Sequence, residues 1–171
     1  MFKFKSGKEV TDSVGLLITL LVRYPEIAKI NYEPENQLIK MSFLIKSDVN
    51  ENVISKFVQD LKSSILTFNY LEQVDNIELL VNYEINDDCI SIDIYRDINT
   101  ITSSEISLIV QLFQKDFSNS VIADSNEFFY EDELVWQEEL ISDMLENLKK
   151  SNPVKKLLAF RDDGKVRVFD K

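Results

Sequence analysis

Apolar and polar residues alternate along this chain with two periods, and the period changes mark its elements. Val10, Val14, Leu17 and Leu21 recur at helical spacing behind a Ser6-x-x-Glu9 capping box. Leu16, Ile18, Leu20 and Val22 carry the apolar surface almost all the way round. Such a helix is buried on every side, in a core or in an oligomer interface, and Pro25 ends it. The period then drops to two. In 26–33, Ala28, Ile30 and Tyr32 oppose Lys29, Asn31 and Glu33; in 37–45, Ile39, Met41, Phe43 and Ile45 oppose Lys40 and Ser42. Pro34-Glu35-Asn36 joins them as turn material, which predicts a hairpin.

The alternation of periods continues. Asp48-x-x-Glu51 reads as a capping box before a helix over 49–68, with Ile54, Phe57, Val58, Leu61 and Ile65 on one face. A second hairpin is expected over about 76–96, turning at Asn86-Asp87. Thr102-x-x-Glu105 opens a third helix with Ile106, Ile109, Val110, Phe113 and Phe117 on its apolar side. "VIAD" at 121–124 is a candidate short strand, and a fourth helix is expected over 131–149. Its first turn holds Glu131, Asp132 and Glu133 and its last Lys149 and Lys150, so both ends complement the helix dipole. A final hairpin closes the chain. A three-residue loop at Asp162-Asp163-Gly164 would put Phe160 opposite Val166 and Leu158 opposite Val168, keeping one apolar face; it is expected over a two-residue loop, with Gly164 left-handed.

Runs of hairpins and helices, without regular β-α-β alternation, indicate an α+β fold: a largely antiparallel sheet with helices mainly on one face. The other face is expected to show Lys29, Asn31, Lys40, Ser42, Glu78, Asn82, Ser91 and Asp93. "INYEPENQLIKMS" from Ile30 and "VNYEINDDCISID" from Val81 align without gaps, Tyr32 on Tyr83 and Ile39 on Ile90. A tandem ββα repeat, 26–66 and 77–118, accounts for this; so does the ordinary likeness of two amphipathic ββα units, and both readings stand. The alternative architecture is a ferredoxin-like βαββαβ core over 37–124, which the strong turn at 34–36 disfavours. The length fits a single domain over 1–171, ending in a helix-hairpin unit at 131–171.

Composition narrows the chemistry. There is no histidine and one cysteine, Cys89, so zinc sites of His and Cys, histidine acid–base chemistry and internal disulfides are excluded. Lys3, Lys5 and Lys8 precede an apolar run, Leu16 to Val22, but Glu9 and Asp12 fall between them, Arg23 ends the run and no small-residue cleavage site follows, unlike a signal peptide. The run is far short of the roughly 20 apolar residues of a membrane span. The expectation is a cytoplasmic protein without membrane contact.

Net charge is −11 and uneven: residues 76–150 carry seventeen acids against four bases, residues 151–171 six bases against three acids. An acidic chain repels phosphate backbones, so nucleic acid is a disfavoured partner. The basic and aromatic C-terminal group of Lys155, Lys156, Arg161, Lys165, Arg167 and Lys171 with Phe160 and Phe169 is the exception. It is read as pairing with the acidic 76–150 region, within one molecule or across a homodimer; weak RNA binding is the alternative.

Candidate sites are few. Cys89 follows Asp87 and Asp88, which oppose thiolate formation, so a small residue beside a turn is the preferred reading. Asp87, Asp88, Asp93 and Asp97 are acid-rich but lack a Ca²⁺-loop pattern, as does Asp124-x-Asn126. A Mg²⁺-dependent carboxylate enzyme using Asp87, Asp88 and Asp93 is the enzymatic alternative. Phosphate-cradling glycine loops are missing. The favoured expectation is a non-catalytic adaptor, inhibitor or chaperone-like protein without a cofactor. It would present Glu131, Asp132, Glu138, Glu139, Asp143 and Glu146 to a basic partner.

Overall fold

The computed structural model describes residues 12–123, 130–150 and 155–170. The two alternating runs pair as expected: β1 (Ile27–Glu33) and β2 (Leu38–Lys46) form a hairpin with Tyr32 opposite Ile39 and Ile30 opposite Met41. β3 (Leu79–Ile85) and β4 (Cys89–Asp97) form the second, and β5 (Leu157–Asp162) and β6 (Lys165–Asp170) the third. All three join one antiparallel sheet in the order β3-β4-β2-β1-β5-β6. The helices are α1 (Asp12–Arg23), α2 (Glu51–Leu71), α3 (Ser103–Phe117) and α4 (Glu131–Lys150).

Period two decides which side is core. Ile30, Tyr32, Ile39, Met41, Phe43, Ile45, Val81, Ile90, Ile92, Ile94, Leu157 and Ala159 are buried; the residues between them point to the other face, where Ser42, expected to be open, is buried as well. α1 packs on β1, β5 and β6, and α4 packs on α1 and α3. The apolar girdle of α1 is thus enclosed by sheet below and α4 above. Phe113 of α3 stacks flat on Phe43 of β2 with centroids 3.9 Å apart, and Phe57 of α2 meets Phe113 and Phe117 edge-on. Aromatic pairs of this geometry add to the area they bury.

Several local expectations are corrected. α2 starts later than 49, and its cap is Asn50, whose side chain accepts from the Asn52 N–H at 2.8 Å; Asp48 is not the cap. Residues 121–124 do not form a strand where described: Val121 makes a single bridge to Ile45. The ferredoxin-like alternative needs the strand after α3 beside β2, but β1 holds that edge, leaving room only for this bridge. The Ser6 capping box, Asp124-x-Asn126 and Lys171 lie outside the described residues.

The last hairpin takes the tighter turn. Asp163 (φ 49°) and Gly164 (φ 73°) are both left-handed, the two-residue turn that Asp-Gly favours. Phe160 therefore faces Arg167, and Leu158 faces Phe169. One apolar face was the wrong criterion here, because both faces of this hairpin are apolar. Leu157, Ala159, Val166 and Val168 line the core side, while Phe160 and Phe169 stack on the open side with centroids 5.5 Å apart.

The gapless equivalence of the first two hairpins is not kept in their pairing. Tyr32 pairs with Ile39, which would require Tyr83 to pair with Ile90, but Tyr83 pairs with Ile92. Nor does each unit keep its own helix. α2 packs on β3, with the Tyr83 hydroxyl 3.4 Å from Glu51, while α3 stacks on β2.

Candidate functional site

The six acids expected to meet a partner are all on α4 and all exposed: Glu131, Asp132, Glu138, Glu139, Asp143 and Glu146. Helical spacing divides them. Gln137, Ile141, Leu145 and Leu148 face inward. Asp132, Trp136, Glu139, Asp143 and Glu146 follow one another at three or four residues along the outer ridge. Two of the acids have internal contacts. Glu138 lies 3.6 Å from Arg23 of α1, and Glu146 bonds Lys149 at 2.9 Å; the Lys149 ammonium holds the Glu146 carboxyl below its ordinary value.

Trp136 is the residue that sequence reasoning missed on this surface. It is the only tryptophan, and it is 55% exposed in the middle of the acidic ridge, with Val135 beside it and Tyr130 just before the helix also exposed. The signal was present in the periodicity: Trp136 falls off the apolar stripe formed by Leu134, Gln137, Ile141 and Leu145. A tryptophan ringed by carboxylates offers desolvation energy and a field attractive to cations together.

A second constellation lies in the core. Arg96 on β4 falls on the inward phase with Ile92 and Ile94 and is wholly buried. Its Nε donates to Glu105 Oε2 at 2.7 Å and its Nη2 to Glu105 Oε1 at 2.8 Å. Its Nη1 reaches Asp97, the Glu78 carbonyl at 3.1 Å and Thr100 Oγ1 at 3.0 Å. Asn69 of α2 donates to Glu105 Oε1 at 2.7 Å. Burial alone would raise the Asp97 pKa; the Thr100 hydroxyl, the Glu78 amide and the Arg96 guanidinium outweigh it and hold the carboxyl below the ordinary value. The network clamps β4, α3 and α2 together. Glu105, expected to complete a capping box, is only half of one. Thr102 accepts from the Glu105 N–H at 3.2 Å, but the Glu105 carboxylate is turned inward to Arg96.

The other candidates are dispersed. Asp87 and Asp88 lie exposed at the β3–β4 turn. Asp93 sits on the open face accepting from Ser91, and Asp97 belongs to the buried network. Among the described residues no three carboxylate or thiol groups converge on a metal-sized space. Cys89 is a partly buried free thiol opposite Lys46 at the start of β4.

Within the chain, the described C-terminal cations meet groups other than the acids of 76–150. Arg161 turns to the core side, where Nη1 donates to the Leu21 carbonyl and Nη2 to the Pro25 carbonyl, each at 2.6 Å, and to the Ile27 carbonyl, closing the end of α1. Arg167 meets Asp162 at 3.2 Å, Lys155 meets Asp170 at 3.1 Å and Lys156 lies 3.8 Å from Glu33. None of these partners comes from residues 76–150. Lys40 stands over the Tyr95 ring on the open face, beside a shallow pocket shared with Asn31, Glu33 and Lys156. Burial, then Asp93 and Glu33, raise the Tyr95 hydroxyl pKa, so it stays a neutral phenol there.

Compared with protein-family models, with curated proteins and with solved structures, the chain matches none. No helix among the described residues is long and apolar enough to cross a membrane.

Proposed function

We propose that this chain is a non-catalytic cytoplasmic interaction protein that offers the outer ridge of α4 to a basic partner. The observation that carries the reading is the exposure of the single tryptophan, Trp136, within a row of carboxylates. Tryptophan is among the residues on which interface energy concentrates. Carboxylates around them steer a cationic partner and set the orientation of encounter. α4 suits the task because its inner face rests on α1 and α3, so its outer ridge is presented by a rigid support. The lone thiol fits a reducing compartment.

The competing readings have less geometric support. A Mg²⁺ enzyme needs Asp87, Asp88 and Asp93 to converge, whereas the turn and the open sheet face hold them apart. RNA binding through the last hairpin needs Arg161, which is engaged with three backbone carbonyls.

The test is capture from cell lysate with the immobilised chain, at low and high salt, beside Trp136→Ala and the charge-reversed Glu139→Lys/Asp143→Lys. Wild type should retain a basic protein at low salt that high salt releases and both variants lose. Equal retention by all three chains, or no basic protein retained by wild type, contradicts the reading.

A further inference from the structure

The two edges of the sheet are built differently. β6 carries Lys165, Arg167 and Asp170 along its length, charges of the kind that blunt an edge. β3 has no lysine, no proline and no bulge; its seven residues keep an unbroken register with β4, and its one charge is Glu84. Exposed apolar side chains gather beside it. Leu80 is 49% and Ile85 47% exposed on the strand, and Leu66 and Tyr70 are exposed on α2, the helix above it.

The phase of the ladder shows which backbone groups this edge presents. At the β3–β4 turn the Asn86 N–H donates to the Cys89 carbonyl at 3.0 Å. Bonded and non-bonded pairs alternate in an antiparallel ladder, so Leu80, Asn82 and Glu84 bond toward β4. Glu78 continues that phase, donating its N–H to Asp97 and accepting from Arg96. The N–H and carbonyl groups of Leu79, Val81, Tyr83 and Ile85 therefore point out of the sheet.

We propose that β3 is the seam of a homodimer, in which two copies pair antiparallel, β3 to β3, about a two-fold axis through Asn82. Asn82 is the midpoint of Leu79–Ile85, so this register joins the whole strand. Leu79 then bonds with Ile85 of the second copy, and Val81 with Tyr83, using all the outward groups. The non-bonded pairs are Leu80 with Glu84, and Asn82 with itself. No carboxylate faces a carboxylate, whereas sliding the axis to Glu84 would set two in opposition. The strand is thus self-complementary in phase, and this register sets no like charges in opposition, as an isologous interface requires.

The groove between α2 and β3 fits the same arrangement. It measures about 370 Å³ and is floored by Val58, Val81 and Tyr83, with Gln59 and Lys62 on its helical wall. Tyr83 of the second copy, lying beside Val81, enters its mouth against the Lys62 stem. Addition of a strand to an exposed edge beside a helix is a recurring mode of recognition.

Sedimentation equilibrium of the full chain tests this, comparing wild type with Asn82→Asp and Asn82→Lys. The Asn82 side chain is exposed, so both variants keep the wild-type fold, checked by circular dichroism. Wild type should have twice the 19.9 kDa chain mass. Either variant alone places two like charges on the axis and should weaken the dimer about ten-fold or more. An equimolar mixture of the two should restore it. A wild-type chain that stays monomeric, including one that takes up a foreign strand at this edge, overturns the proposal. So does a dimer that neither variant weakens.

Discussion

Arg96 and Glu105 form a two-point ion pair inside the core, Nε to Oε2 at 2.7 Å and Nη2 to Oε1 at 2.8 Å, with both side chains fully buried. Removing one partner leaves the other charged and desolvated, a change that typically costs about 3–5 kcal/mol. Arg96→Met and Glu105→Leu should each lose about that much in urea unfolding. The double variant should recover part of the loss, because Glu105 is no longer stranded and Asp97 keeps the Thr100 hydroxyl and the Glu78 N–H. A double variant as unstable as the sum of the two singles would show that they act independently.

Asp97 gives the same network a pH dependence. Its folded pKa is lowered, so the unfolded chain takes up the proton first as pH falls. The stability it contributes is fully present above the unfolded value of about 3.9 and is lost as pH falls through the lower folded value. Asp97→Asn should flatten the acid limb of the stability curve in that window while leaving the neutral-pH slope unchanged. Identical acid limbs in the two chains would contradict this.

The two tyrosines that share an Asn-Tyr-Glu context should respond unequally. Tyr32 is buried between β2 and β5, whereas Tyr83 lies half-exposed at the sheet edge. In the Asn82→Lys background, where the proposed β3 seam is broken, Tyr32→Ala should cost about 3–5 kcal/mol, the range for deleting a buried aromatic, and Tyr83→Ala about half of that. Equal losses by chemical denaturation would count against the difference in burial.

Arg161 should behave as a structural cap. It gathers carbonyls from Leu21, Pro25 and Ile27, and hydrogen bonds to charged groups are worth about 1.5–3 kcal/mol each. Arg161→Lys keeps the charge but loses the planar fork that reaches several carbonyls at once. Its melting temperature should fall nearly as far as that of Arg161→Ala. A lysine variant as stable as wild type would mean that charge alone suffices.

The hairpins, the helices and the buried face were legible because each rests on a local period that burial enforces. Ile39, Met41, Phe43 and Ile45 can share only one side of a strand. What failed depended on long-range choice. Phe160 had apolar partners on either register, and turn chemistry at Asp163-Gly164, not pattern, decided between them. Arg96 was hidden because an arginine on an inward phase reads as an interruption until Glu105, Asp97 and Asn69 are brought around it. The exchange of α2 and α3 between hairpins follows from strand order, to which no local pattern speaks. On α4 the acids were visible as a list of charges, while Trp136 needed the ridge to be drawn before it stood among them.

Trp136 also supplies its own reporter. Fluorotryptophan labelling of the chain places a single fluorine probe at that ridge, because the sequence holds one tryptophan. Fluorine NMR during titration with the basic protein captured at low salt should move or broaden this resonance in step with binding. Added salt should weaken the response as it screens the surrounding carboxylates. A captured protein that binds fully while the resonance stays where it was would contradict docking on α4.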